Sequence, residues 1–310
     1  VRMMPYLLRA PLAMALSALL AATCVPAPPA AAASAREVVL APRVPAGTTA
    51  SYMVFDRTTG KATLAYKVHS RFRSASVVKI LIALDYLESR KAGTSIPAAD
   101  RDLLKRMLRS SDDDAATAFW RRGGQRAIVD RVVRRIGLKD SGPPPASRPG
   151  FWGYTALSAS DVVLTYRYLL DKARPEVRDL ILGHLRHATR CATDHFDQYF
   201  GIPSAVPRPW AVKQGWSGYG STPAVRCGAT RASTSPASTS ATGVSAATGA
   251  AGRPPVNLAR PVLHTTGLTG EGDRLIVVVL TLQPAGASFA GSAARLTALT
   301  RDVHRAGRPR

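Results

Sequence analysis

Cysteine is scarce in this chain, with three in 310 residues, so a disulfide-built scaffold is excluded. Acidic residues are also few, 20 against 42 lysines and arginines, for a formal charge of +22. The basic excess is mostly arginine spread along the chain, with no dense basic run and no aromatic-interleaved segment. That pattern argues against a nucleic-acid module. It leaves either a plain solvated surface or an anionic cell-wall or membrane surface as the counter-surface. Beyond the first 35 residues, nothing approaches the roughly 20 uninterrupted apolar residues that a membrane span needs. Glutamate is missing altogether from residues 141 to 175.

What is present is a chain 46% hydrophobic, enough for one large domain or two closely joined subdomains. Residues 1–35 read as a secretory leader: Arg2 and Arg9 precede an apolar core from Pro11 to Ala22, and small residues end in Ala33-Ser34-Ala35. Cleavage is expected after Ala35. A rival reading makes Cys24 a lipid-attachment cysteine. Either way residues 36–310 are expected outside the cytoplasm, where an oxidising compartment favours a bridge between the remaining cysteines, Cys191 and Cys227.

The local patterns alternate in type along the chain. Ser51 to Phe55 and Ala62 to Val68 read as a hairpin around Asp56-Arg57-Thr58-Thr59-Gly60. Val77, Ile80, Leu81, Leu84 and Leu87 then recur at three and four, predicting a helix buried along one stripe, with Ser76 in its first turn. Helices follow over 98–108, around Phe119 and Trp120, and over 127–136. Residues 141–154 carry four prolines and three glycines in fourteen positions and read as a surface loop. Ser158 and Asp161 form a capping-box pattern opening a helix through Leu170, and another helix is expected from Glu176 to about Thr189. Late strands are expected at 209–214, 262–267 and 275–282, before an amphipathic helix led by Phe289, Ala293, Leu296, Leu299 and Val303. Between the first two late strands, 229–252 is nearly all Ala, Ser, Thr and Gly, and reads as a disordered insertion. The expected class is α+β: one antiparallel sheet built from both chain ends with flanking helices, and an inserted helical lobe at about 90–207. A groove between the lobes is the natural site.

Three short stretches carry chemistry. In Ser76-Val77-Val78-Lys79, a helical spacing of three sets a hydroxyl beside an ammonium, a nucleophile beside a base if the lysine is buried. Ser111-Asp112-Asp113 follows a helix, and Lys213-Gln214-Gly215 sits on a strand. In this order the set resembles the Ser-x-x-Lys, Ser-Asp-Asn and Lys-Thr-Gly motifs of class A β-lactamases and penicillin-binding proteins, most like secreted actinobacterial members. The resemblance runs from about Ser51 to Val303. It implies that Ser76 is acylated, that Lys79 takes its proton, and that Ser111 carries a proton toward the leaving nitrogen. It implies that Lys213 faces a substrate carboxylate and helps to depress Lys79. It assigns the oxyanion hole to the backbone N–H groups of Ser76 and Trp216, with Gly215 keeping the strand edge open. The implied partner is a β-lactam or a peptidoglycan stem peptide, acted on by a monomer without cofactor.

The chain also departs from that pattern. Asp113 stands where asparagine is usual, Gln214 replaces threonine, and the Ser76 to Ser111 interval is short. The loop before Ser158 lacks the glutamate that activates the deacylating water in class A β-lactamases, so slow hydrolysis of an acyl-enzyme is expected. A D,D-peptidase acting on the wall and a non-catalytic wall-binding relic remain as rival readings. His184, His187, Cys191 and His195 suggest a metal helix, but at 1.5 Å per residue they span about 16 Å and do not converge on one ion. His264 reads as a strand histidine near the cleft.

Overall fold

The computed structural model describes residues 41–229 and 256–309. The leader, Cys24 and nearly all of the 229–252 stretch lie outside the described residues. The strands are β1 (Thr49–Asp56), β2 (Lys61–Tyr66), β3 (Phe72–Arg73), β4 (Ala156–Leu157), β5 (Trp210–Ser217), β6 (Val262–Thr269) and β7 (Leu275–Leu282). The helices are α1 (Lys79–Glu88), α2 (Ala98–Arg109), α3 (Asp113–Arg122), α4 (Arg126–Ile136), α5 (Ala159–Asp171), α6 (Pro175–Arg186), α7 (Ile202–Ala205) and α8 (Phe289–Gly307). Five strands form one antiparallel sheet in the order β2-β1-β7-β6-β5. The sheet therefore joins both ends of the chain, as the alternating patterns predict.

Period-two alternation explains how that sheet serves two cores. In β1, Ala50, Tyr52 and Val54 enter one core with Leu296, Leu299 and Val303 of α8. Phe55 and, in β7, Ile276, Val278 and Leu280 enter the other with α1 and its neighbouring helices. Because helices cover both faces, β7 reads as an unbroken apolar run from Leu275 to Leu280 rather than as alternating apolar and polar residues.

Some expectations need correction. Helix α1 is buried nearly all round, from Lys79 to Asp85 and at Leu87, not along one stripe, because α2, α3, α4 and α6 all pack about it. Its one buried acid, Asp85, is held in a fork by Arg131 at 2.8 and 2.6 Å. Ser76 lies one step earlier than expected, in a tight 3-10 turn, Ala75–Val78. The Ser158 side chain does cap α5 through the Asp161 N–H at 3.1 Å. The Asp161 carboxylate, however, accepts from the N–H groups of Lys139, Asp140 and Ser141, so the capping box is one-sided. Helix α6 ends at Arg186. His187, Cys191 and His195 therefore lie beyond it, and among the described residues no group of three or more His, Cys, Asp or Glu side chains could hold a metal ion.

The two-residue strands β3 and β4, absent from the sequence reading, pair with each other and hold the approach to Ser76. His264 on β6 pins this approach: Nε2 lies 2.9 Å from the Arg73 carbonyl, and Nδ1 accepts from the Thr281 N–H at 3.1 Å. The imidazole is thus a neutral structural bridge, and burial pulls its pKa down to about 4. The unfolded chain takes up this proton more readily than the folded one as pH falls through the ordinary histidine range toward 4. Stability should therefore fall over that window, with His264 accounting for about 3 kcal/mol at its lower end. Urea midpoints measured from pH 7 to 4 check this, and His264→Asn should flatten the slope.

Candidate active site

The turn carrying Ser76 is shaped from both sides. Ala75 (φ 44°) and Ser111 (φ 55°) both adopt left-handed backbone conformations that cost non-glycine residues energy, so their surroundings must hold them. The Ser74 N–H donates to the Thr155 carbonyl at 2.7 Å, and the Val77 N–H donates to the Ser74 carbonyl at 3.1 Å. Strand β5 runs alongside. A methyl group on Gly215 would sit 3.0 Å from the Ser74 carbonyl oxygen and 3.3 Å from the Ser76 nitrogen. Only a residue without a side chain lets the strand edge come this close.

Lys79, on the first turn of α1, is fully buried. Its Nζ donates to Ser76 Oγ at 2.9 Å, to the Ser111 carbonyl at 2.6 Å and to Asp113 Oδ1 at 2.6 Å, with Ser111 Oγ at 3.3 Å. Lys213 Nζ lies 2.9 Å from the same Ser111 Oγ. One hydroxyl thus stands between two buried amines. Asp112 caps α3 through the Ala115 N–H at 2.8 Å and pairs with Arg106 at 2.6 Å, which fixes the Ser111 turn.

Burial pulls both lysines below the usual range, for different net reasons. For Lys79 the desolvation is opposed by the carboxylates of Asp113, Asp194 and Asp112. For Lys213 it is reinforced by the neighbouring Lys79 charge, and the fall is greater. Asp113 thus favours the charged form of Lys79, while the closeness of the two amines disfavours charging both at once.

The open cleft above Ser76 has a volume of about 340 Å³. Asp113, Trp152, Tyr154, Asp194 and Trp216 line it together with Ser76. Three of these were missed in the sequence. Residues 150–154 form part of the cleft wall rather than a free surface loop. They are tied down by Trp120 Nε1 to the Pro149 carbonyl (2.9 Å) and Trp152 Nε1 to Thr117 Oγ1 (3.2 Å). The Lys79 ammonium lies 4.7 Å from the Trp152 ring centroid. Asp194 accepts from Trp216 Nε1 at 3.0 Å and from the Phe196 N–H at 3.2 Å. Burial raises its carboxyl pKa, and those two bonds oppose the rise. No motif marks Asp194; its nearest sequence signal is Cys191.

Ser76, Lys79, Ser111 and Asp113 meet at one point, and Gly215 and Trp216 flank it. Lys213 reaches the same point from beneath, buried with its Nζ 2.9 Å from Ser111 Oγ. The Gln214 side chain is buried away from the cleft, its amide donating to the Phe200 carbonyl, because alternation along β5 turns it to the opposite face from Lys213.

The fold is that of the class A β-lactamase and penicillin-binding-protein superfamily. A class A β-lactamase from Mycobacterium abscessus superposes with a TM-score of 0.56 at 19% identity, covering 84% of this chain and 94% of that one. The penicillin-binding protein PBP-A superposes with a TM-score of 0.55 at 15% identity, over 84% of this chain and 91% of that one. In sequence, the chain is 38% identical over 175 residues to a protein named "Putative lipoprotein LppW" from Mycobacterium tuberculosis. The same match is found in Mycobacterium bovis. It covers 55% of this chain and 54% of that protein, so the chain spans about half the length of the curated relatives it matches. No protein-family model matches the chain.

A disulfide joins Cys191 to Cys227, 36 positions apart. It ties the segment carrying Asp194 to the segment that follows β5. Closing that loop should contribute about 3 to 4 kcal/mol in the chain-entropy picture. The double variant Cys191→Ser, Cys227→Ser should lose stability of that order in urea titrations. Alkylation of the parent protein without reductant should label neither thiol.

Proposed function

We propose that this chain is an extracytoplasmic serine hydrolase that transfers an acyl group from an amide to Ser76, its substrate being a β-lactam or a peptidoglycan stem peptide. The observation that carries the reading is the 2.9 Å contact of Lys79 Nζ with Ser76 Oγ, completed by Ser111 between Lys79 and Lys213. In the proposed step Ser76 Oγ bonds to the carbonyl carbon and its proton passes to Lys79. The C–N bond then breaks, and the leaving nitrogen takes a proton relayed through Ser111, whose hydroxyl both accepts and donates. The Ser76 and Trp216 N–H groups are the proposed oxyanion donors, a role consistent with the approach of β5 at Gly215.

Burial supports the base role, since a lysine accepts a proton only when neutral. Asp113 opposes it by holding the Lys79 proton. Export fits the disulfide, and among the described residues no helix is long and apolar enough to cross a membrane. Attachment through Cys24 and contact with an anionic wall or membrane surface belong to the same proposal.

Hydrolysis of the ester is expected to be the slow half. The carboxylates that line the cleft are Asp113, paired with Lys79, and Asp194, held by two N–H donors. A fluorescent penicillin should therefore label the protein in a burst followed by little turnover, seen as a lasting increase in intact mass. Ser76→Ala should abolish the adduct, and Lys79→Ala should slow it by about 10² to 10⁴. Fast hydrolysis with no burst would contradict the kinetic reading, and no adduct at all would favour a non-catalytic wall-binding protein.

A second expectation concerns pH. Asp113→Asn removes the largest upward pull on Lys79, so the amine is neutral at lower pH. The rise of the labelling rate with pH should shift toward acid, which a stopped-flow profile of parent and variant would measure.

A further inference from the structure

The cleft wall holds one carboxylate that the acyl-transfer step does not use. Asp194 sits at the tip of a tight turn. The His195 N–H donates to the Ala192 carbonyl at 3.0 Å, the Ala192 N–H donates to the Phe196 carbonyl at 3.0 Å, and His195 takes a left-handed backbone (φ 69°). The turn is fastened twice to the chain that leaves β5: by the Cys191–Cys227 disulfide, and by the Cys227 N–H, which donates to the His195 carbonyl at 2.8 Å. From this base Asp194 reaches back to β5 itself. Its Oδ2 accepts from Trp216 Nε1 at 3.0 Å and its Oδ1 from the Phe196 N–H at 3.2 Å. Each oxygen has its own donor, so the carboxylate is aimed rather than free.

What it is aimed at is the end of an edge strand. β5 pairs with β6 on one side only, and Trp216 is its last residue but one. On its open side lies the turn that carries Ser76, close enough that a methyl group at position 215 would sit 3.0 Å from the Ser74 carbonyl oxygen. Strand ends open more readily than strand middles unless something else holds them. Here the Trp216 side chain does so. Its indole lies against Phe196 and Phe200, with ring centroids 6.0 and 6.2 Å away, and Asp194 fixes the rotation of the ring through its one polar atom. Trp216 also supplies one of the two proposed oxyanion donors, and such donors work only when held in place before charge develops. The Asp194 charge is felt by both buried lysines as well, so its charge and its aim have to be told apart.

We infer that Asp194 is a positioning residue: by holding the Trp216 indole it fixes the end of β5, and so sets the Trp216 N–H against the carbonyl oxygen under attack at Ser76. It touches no reacting atom. The inference rests on reading this cleft as the acyl-transfer site, with Trp216 as an oxyanion donor. Loss of the side-chain bond then slows acylation and leaves the first, noncovalent encounter with substrate nearly as it was, because the oxyanion forms only on the way to the transition state.

The test is stopped-flow labelling of the full chain by a fluorescent penicillin, which resolves the saturation constant from the limiting acylation rate. Trp216→Phe keeps a ring and the Asp194 charge and removes the indole N–H. Its limiting rate should fall about tenfold, less than the roughly 10² to 10³ lost when an oxyanion donor is removed outright. The saturation constant should stay within about twofold, and the pH midpoint of the rate should not move, since no charge has changed. Asp194→Ala should slow acylation at least as much. The double variant should be within about twofold of Asp194→Ala alone, because both changes break one bond. If Asp194→Ala does not fold, Asp194→Asn, which keeps an acceptor for the indole, should stay within about threefold of the parent rate. A Trp216→Phe rate equal to the parent's, a loss confined to the saturation constant, or independent losses that multiply in the double variant would overturn the inference and leave acyl transfer standing. Parent protein that takes no label would remove the acyl-transfer reading and this inference with it.

Discussion

Two lysine side chains converge on one hydroxyl where almost no water reaches. The meeting of Lys79, Lys213 and Ser111 at the seam between the sheet edge and the helical layer is the constraint on which the surrounding structure depends. Two ammonium groups this close and this dry repel each other strongly. The arrangement is eased by the Asp113 carboxylate beside Lys79 and by burial, which pulls both amines below their usual range. Asp113, where the resembling proteins usually carry an amide, is therefore part of a charge balance rather than a lost donor. Helix α1 serves the same point: its burial on nearly all sides fixes the base end of the Lys79 side chain, and the turn before it fixes Ser76.

The apolar periodicities carried the fold. Short strand-type runs bounded by turn residues at both chain ends marked the strands, and three-four spacing marked the helices, since those patterns reflect which face must leave water. The single sheet followed because two terminal groups of strands with helices between them close most simply into one; the strand order within it did not. Burial all round α1 was legible only in hindsight, because a helix within a helical layer carries the same apolar residues as one against a single face. Strands β3 and β4, at two residues each, are too short for any periodicity to register.

The site was legible where a motif fixes spacing and illegible where the chain only arrives there in space. Ser76 and Lys79 are three residues apart on successive turns, so their contact follows from local geometry. Ser111 and Lys213 needed the resemblance to place them. Gln214 shows the limit of that help: the neighbouring lysine and glycine fit the pattern, but alternation along β5 turns its side chain away from the cleft. Asp194 sits in a non-repetitive stretch after α6. What puts it in the cleft is the indole of Trp216 and a disulfide to a residue 36 positions later, neither of which leaves a local trace in composition.

Arg73 gives the fold one more property. Its guanidinium holds the carbonyl of Ser217 on one side of the Ala-, Ser-, Thr- and Gly-rich stretch and those of Asn257, Leu258 and Arg260 on the other. Both ends of the β5 to β6 connection are thus moored to the strand that leads to Ser76. The cost of closing a loop grows only slowly with its length, about 0.6 kcal/mol for each doubling. By that measure, residues can be added to or removed from the connection between those moorings at a small cost in closure entropy. The length of that connection can therefore change while Arg73, three positions before the candidate nucleophile, keeps both of its ends in place.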